Sequence, residues 1–534
     1  MREQYFRVKE ESFEVLGANG RSIAAEILHY ADDKTFVLPD TFEMPDKAFY
    51  EFTGDHGEIH FAPAFFDGVY LFEMARIDKD EAQEKARSVY RLFIDYAVAE
   101  EEAKRQEAYL TFYKRVSKDD TIEYMEEILQ AFDQQLEKYP NLGEAYEKLA
   151  FELLNAHHRG ALKFGIYMML FVELSDKGYE FFEILGGCEE LSYPISMLLR
   201  YRATESDNNE RLFRLAKRTG GWARVFYIYS LNADNKEKRE WLIAYGLDNG
   251  QERYLARMCE EKGEMHDILS MLKSSSDMYQ RVLYNGAGKI LQTFIDGKAL
   301  STPNHLKTLL IEYLRVSQSF CHNLSNFYLV AKIFDYFQDE AEDVSENEKT
   351  EVKENVIALF TKKRARSAIR EGLKGDPQTA LELGKRIGMK DLWEELFMIA
   401  LSDSNFEDWY ALTLTDDIDE YKKLCAFAEG RLPLDEIATG VSDELGLEEK
   451  YAPHMNLLMV IQNLDKFTER FGEKLIKTAL KSPVVNNRNM ALRMVLSWDC
   501  VPDEICEILT ENYDKEPNDD ALKKYAEILG RERC

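Results

Sequence analysis

The chain has 534 residues, 45% hydrophobic and 12% aromatic, with only 12 prolines and 28 glycines, which excludes a disordered polymer and points to packed elements with short connections. A formal net charge of −30 and a pI near 4.9 weigh against general binding to duplex nucleic acid or an anionic membrane, because neutralising phosphates requires clustered Lys and Arg. Seven scattered cysteines without a CxxC pair support neither a zinc ribbon nor a thioredoxin-type centre, and fit free thiols in a reducing compartment.

Residues 1–78 differ from the rest. Glycine, aspartate and proline punctuate short β-branched and aromatic segments such as KTFVLP and EIHFAP, predicting a small α+β or β-hairpin cap. The segment MREQYFRVKEESFEV has no apolar core of a secretory leader, and the run Ile166–Val172 is too short to span a bilayer. A cytoplasmic location without membrane association is the expectation. Within the cap, Asp55-His56-Gly57-Glu58-Ile59-His60 reads as a strand with His56, Glu58 and His60 on one face. Two imidazoles and a carboxylate so placed suit a first-row metal. A half-exposed strand gives the same polar-out alternation.

From Asp80 one long charged helix is predicted through Val116, bridging the cap to a helical array. Past Val116 the apolar residues recur at helical spacing: Leu142, Ala145, Tyr146, Leu149, Ala150, Leu153 and Leu154 draw one stripe, as do Leu306, Leu309, Leu310, Tyr313 and Leu314, and again Leu522, Tyr525, Ala526 and Leu529. Short segments of this kind continue to the C-terminus, separated by turn residues, so neighbouring helices should be antiparallel. The predicted organisation is a cap over 1–78, a helical array over 79–337, an acidic linker over 338–351 (QDEAEDVSENEKTE) and a second array over 352–534. The fold class is all-α, a right-handed α-solenoid of antiparallel helix pairs behind the cap.

Two echoes sharpen this. YPNLGEAYEKLAFELL and EPNDDALKKYAEIL both place Ala residues five apart behind a Pro-Asn turn (Ala145 and Ala150; Ala521 and Ala526). They resemble the first helix of a tetratricopeptide unit, without that family's Trp and Leu-Gly positions. KSPVVNNRNMALRMVLSW, with Ser482-Pro483, Arg488, Ala491 and Met494-Val495, resembles the first helix of a HEAT unit. The resemblance implies a HEAT-like or armadillo-like array, in which the proline starts the helix and the alanine packs on its partner.

Gly286-Ala287-Gly288-Lys289 falls short of a phosphate loop, because Leu283 and Ile290 stand where Gly and Ser or Thr are required. No other catalytic template is met, and no cofactor is expected. Two basic stripes cross the acidic background: Arg211, Arg214 and Arg218 with Lys217 nearby, and Lys363, Arg366, Arg370 and Lys374, each at helical spacing. They read either as solvated faces answering acidic neighbours or as docking strips for an acidic or phosphate-bearing partner. The expected function is a non-catalytic scaffold holding a protein or peptide on the concave face of the array. The alternatives are an enzyme of unrecognised type on a helical scaffold, centred on His56, Glu58 and His60 or on a pocket the sequence does not reveal, and nucleic-acid binding along the basic stripes, which the net charge disfavours.

Overall fold

A computed structural model describes residues 21–31, 37–39, 42–46, 52–54, 57–59, 62–73, 76–118, 120–202, 207–273, 276–340 and 344–533, without the side chains of 52–54, 57–59 and 340. The chain is all-α. Among the described residues the strands are Phe52–Gly54 and Gly57–Ile59, paired antiparallel with Phe52 opposite Ile59. No helix among them is long and apolar enough to cross a membrane.

The chain divides into two compact units, 1–319 and 320–534. The division therefore precedes the acidic 338–351 stretch, from which Glu346–Phe360 emerges as a helix. Ser345 and Glu348 close a capping box at its start, satisfying backbone donors that would otherwise stay open.

The single helix expected from Asp80 is two helices, Lys79–Ala97 and Glu102–Val116, packed on one another. Folding back lets Val89, Phe93 and Tyr96 share a core with Tyr109, Phe112 and Val116, an apolar area that one straight rod would leave in water. Arg105 secures the turn by donating to the Ala99 carbonyl at 2.7 Å.

Farther along the first unit, Arg159–Met168, Ser192–Tyr201, Gly221–Ser230, Glu252–Lys262 and Met278–Ile295 pack successively, each on the next. The last of these contains Gly286-Ala287-Gly288-Lys289 in mid-helix. A Cβ at Gly286 would overlap the Ile243 carbonyl, so the glycine admits close helix approach. Lys289 pairs with Asp248 at 2.6 Å.

In the second unit alternate helices form two rows. Pro377–Arg386, Trp409–Leu412, Ala452–Ile461, Val485–Leu496 and Asp519–Leu529 make one; Leu392–Ser402, Ile418–Arg431, Glu473–Leu480 and Asp503–Asn512 make the other. The HEAT-like segment and the second Pro-Asn segment meet here, because Val485–Leu496 packs on Asp519–Leu529. Arg488, fully buried, donates to both oxygens of the equally buried Glu516 at 2.7 and 2.6 Å and to the carbonyls of Ser482 and Pro483 at 2.9 Å. Tyr525 and the Asn518 amide complete the Glu516 shell. A buried pair this well bonded is costly to break from one side, by about 3–5 kcal/mol.

Cys188, Cys259, Cys321, Cys425 and Cys506 are buried free thiols. Cys500 is disulfide-bonded, a correction to the expectation that every cysteine is free.

Candidate functional site

The basic stripe of the first unit lies on the helix Asn208–Arg218, whose inward face is Leu212, Phe213, Leu215 and Ala216. Its three arginines converge on Glu183, a buried carboxylate in the neighbouring helix Asp176–Leu185. Arg211 reaches Glu183 at 2.9 Å, Arg214 grips both oxygens at 2.9 and 2.8 Å, and Arg218 lies 3.5 Å from Oε1 while donating to the Glu183 carbonyl. Burial by itself would raise the Glu183 pKa; the bonds and charges of Arg214, Arg218 and Arg211 outweigh it and hold the carboxyl below its usual range. Lys217 lies over the Phe213 ring and 3.6 Å from Glu237. This stripe therefore fastens one helix to the next, and Arg214, with its side chain 48% exposed, is its outermost member.

The second stripe belongs to the other unit. Lys363, Arg366 and Arg370 stand on the helix Lys363–Gly372, whose buried face is Ala365, Ala368 and Ile369. Lys374 lies past the end of that helix, in the turn that leads to Asp376, so the four cations do not share one helical face as the spacing predicted. Arg370 is bound by Asp391 and, at 2.7 Å, by Glu395. Lys363, Arg366 and Lys374 are exposed and make no ion pair among the described residues. Residues 361–375 hold six cations and one carboxylate, Glu371. The Lys362 ammonium is held below its usual range by burial and by the like charge of Arg364.

His56 and His60 lie outside the described residues, as does the Glu58 side chain. Among the described residues no group of three or more His, Cys, Asp and Glu is placed to hold a metal ion. His157 and His158 occupy the turn between Leu154 and Arg159, where burial lowers both pKa values.

Sequence reasoning missed a buried charge cluster at the start of Arg159–Met168. Lys163 joins Asp67 at 2.8 Å and Glu190 at 2.6 Å, and Arg159 holds Asp46 at 2.9 Å while lying 3.7 Å from Glu190. Glu190 also accepts the Ala64 amide at 2.9 Å. Burial pushes the Asp67 carboxyl up to about 6; for Glu190 burial acts the same way, but Lys163 outweighs it and lowers the pKa. The legible signal was a lone charge inside an apolar run: Asp67 in FFDGVYLF, Lys163 in ALKFGIYMMLF, Glu183 in FFEIL. Such a charge folds inward only if a partner meets it.

No protein-family profile matches the chain, and no curated protein matches it. Among solved structures it is similar to an engineered protein known from a crystal structure, at 12% identity over 83% of this chain and 98% of that one. The TM-score of 0.18 is too low to carry an argument about fold or function.

Proposed function

We propose that the chain is a non-catalytic interaction scaffold, each unit a right-handed α-solenoid of helix pairs in the HEAT, armadillo or tetratricopeptide manner, with residues 1–78 as a small α+β cap. It binds a protein or peptide partner, and not a membrane or nucleic acid. The observation that carries this reading is the face around Lys363–Gly372, where Lys363, Arg366 and Lys374 stand exposed without carboxylate partners among the described residues. An acidic segment of a partner gains most from the local potential there, and steering by that potential is screened by salt.

The test uses the chain with Lys363→Glu, Arg366→Glu and Lys374→Glu together. The unaltered chain, immobilised in native extract, is expected to retain one stoichiometric protein. Association of that purified partner with the triple variant should be slower by about tenfold at low salt, with weaker salt dependence. A partner held equally well by the variant, or no stoichiometric partner, overturns the reading.

A further inference from the structure

The helices Lys236–Tyr245, Met265–Met271 and Met278–Ile295 of the first unit enclose a cleft of about 360 Å³, within the range of roughly 300–1,000 Å³ typical of ligand clefts. Its floor is apolar: Ile268, Leu272 and Leu283 are buried there. Its mouth is apolar as well, and open. Met271 is 59% exposed and Tyr279 45%. Two large apolar side chains at one opening stand in water, and methionine is the side chain that best adapts to an entering group. Tyr279 is held at the edge by its hydroxyl, which donates to Glu240 at 3.1 Å.

The rim has a sign. Arg239 is neutralised by Glu264 at 2.7 Å, and Lys236 lies 3.6 Å from Glu240. Asp267 and Asp277 also line the cleft, and neither makes an ion pair among the described residues. Asp277 is committed to capping, accepting the amides of Tyr279 and Gln280; Asp267 is exposed. Asp267 thus stands beside an apolar opening without an ion partner among the described residues, and Asp277, though its oxygens accept from Tyr279 and Gln280, adds a second negative charge without an ion pair there. An acidic segment is repelled there, and an uncharged apolar ligand leaves the rim unanswered.

We infer that this cleft docks a short cationic amphipathic segment of another protein, whose apolar side chains enter between Met271 and Tyr279 while its Lys or Arg residues meet Asp267 and Asp277. This goes beyond the proposed function, since it concerns a different unit and a partner of opposite charge.

The probe is a fluorescein-labelled helical peptide of Leu and Lys about three turns long, titrated into the full chain and followed by anisotropy. Two comparison peptides replace every Leu by Ser, or every Lys by Glu. Binding of both should be weaker by about tenfold or more. Met271→Ser should weaken the Leu/Lys peptide by about tenfold while the melting curve is unchanged, because the side chain is exposed. Asp267→Lys should cost a few-fold and reduce the salt dependence. Lys363→Glu with Arg366→Glu should leave this binding unchanged, so failure here and failure of the proposed function remain distinguishable. Equal binding of the Leu-to-Ser peptide would mean that the acidic surface alone attracts it, and indifference to Met271→Ser would mean another site; either result overturns the inference. So does self-association of the peptide-free chain that Met271→Ser abolishes, because a second copy would then be the occupant.

Discussion

The helices Asn208–Arg218 and Lys363–Gly372 carry the same device, cations three and four residues apart, and reach different physical states. In the first, the carboxylate of Glu183 waits on the neighbouring helix, and three guanidinium groups fold over it. In the second, small Ala365 and Ala368 are buried while Lys363, Arg366 and Arg370 are exposed; of these three, among the described residues, Arg370 pairs with carboxylates, and those are on the surface. Cation spacing selects a face of a helix. Whether that face becomes structure or surface depends on what the neighbouring helix offers, and on how dry the place is where the charges meet.

The sharpest way to break this contrast is to remove the buried carboxylate. Glu183→Ala leaves three partly buried guanidinium groups facing one another and should cost about 3–5 kcal/mol, read as a lowered calorimetric transition of the first unit. If the loss is no larger than that of an exposed pair, the distinction between the two helices fails.

A second comparison, of three buried carboxylates, predicts opposite pH responses. Asp67 has its pKa raised to about 6 by burial, so the folded chain takes up a proton near pH 6 while the unfolded chain waits until near 3.8. Its contribution to stability therefore grows as pH falls from 7 towards 5, by about 1–3 kcal/mol. Glu183 and Glu190 are held low, so their contributions are present above the ordinary glutamate range and are lost as pH falls through it. Thermal midpoints of the first unit should rise from pH 7 to 5 and then fall. Asp67→Asn should lower the rising limb, leaving the share of Glu189, whose carboxyl burial also raises to about 6; a limb unchanged in this variant would assign it elsewhere.

Smaller effects are expected on the exposed helix. Arg370→Ala breaks solvent-screened pairs with Asp391 and Glu395 and should cost less than about 1 kcal/mol, with most of it removed by added salt. Lys363→Glu with Arg366→Glu should change stability by no more than about 0.5 kcal/mol in urea unfolding. A large loss there would show that this face is packed structure, like its counterpart in the first unit.

Much of the helical content was legible because it depends on spacing alone. The stripes Leu142–Leu154 and Leu522–Leu529 fall on the helices Gly143–Leu154 and Asp519–Leu529. Gly221–Ser230 and Met278–Ile295 were not foreseen. GWARVFYIYS is apolar on nearly every side, so it has no stripe to find, and the Gly286-Ala287-Gly288 run weakens the second signal by propensity until tertiary contact repays it.

The sequence by itself determined that this is an all-α chain of short helices, since period and charge are local properties that each segment carries unaided. It also placed two basic stripes on helices. Tertiary structure alone decided which cations are consumed inside the fold, because a guanidinium becomes structural only when a carboxylate distant in the chain, such as Glu183 to Arg211 or Glu516 to Arg488, is brought within hydrogen-bond reach in a water-poor place. Tertiary structure likewise decided that the segment after Asp80 turns back on itself, because the apolar area gained by folding Tyr109 and Phe112 onto Phe93 and Tyr96 depends on both halves at once and belongs to neither sequence alone.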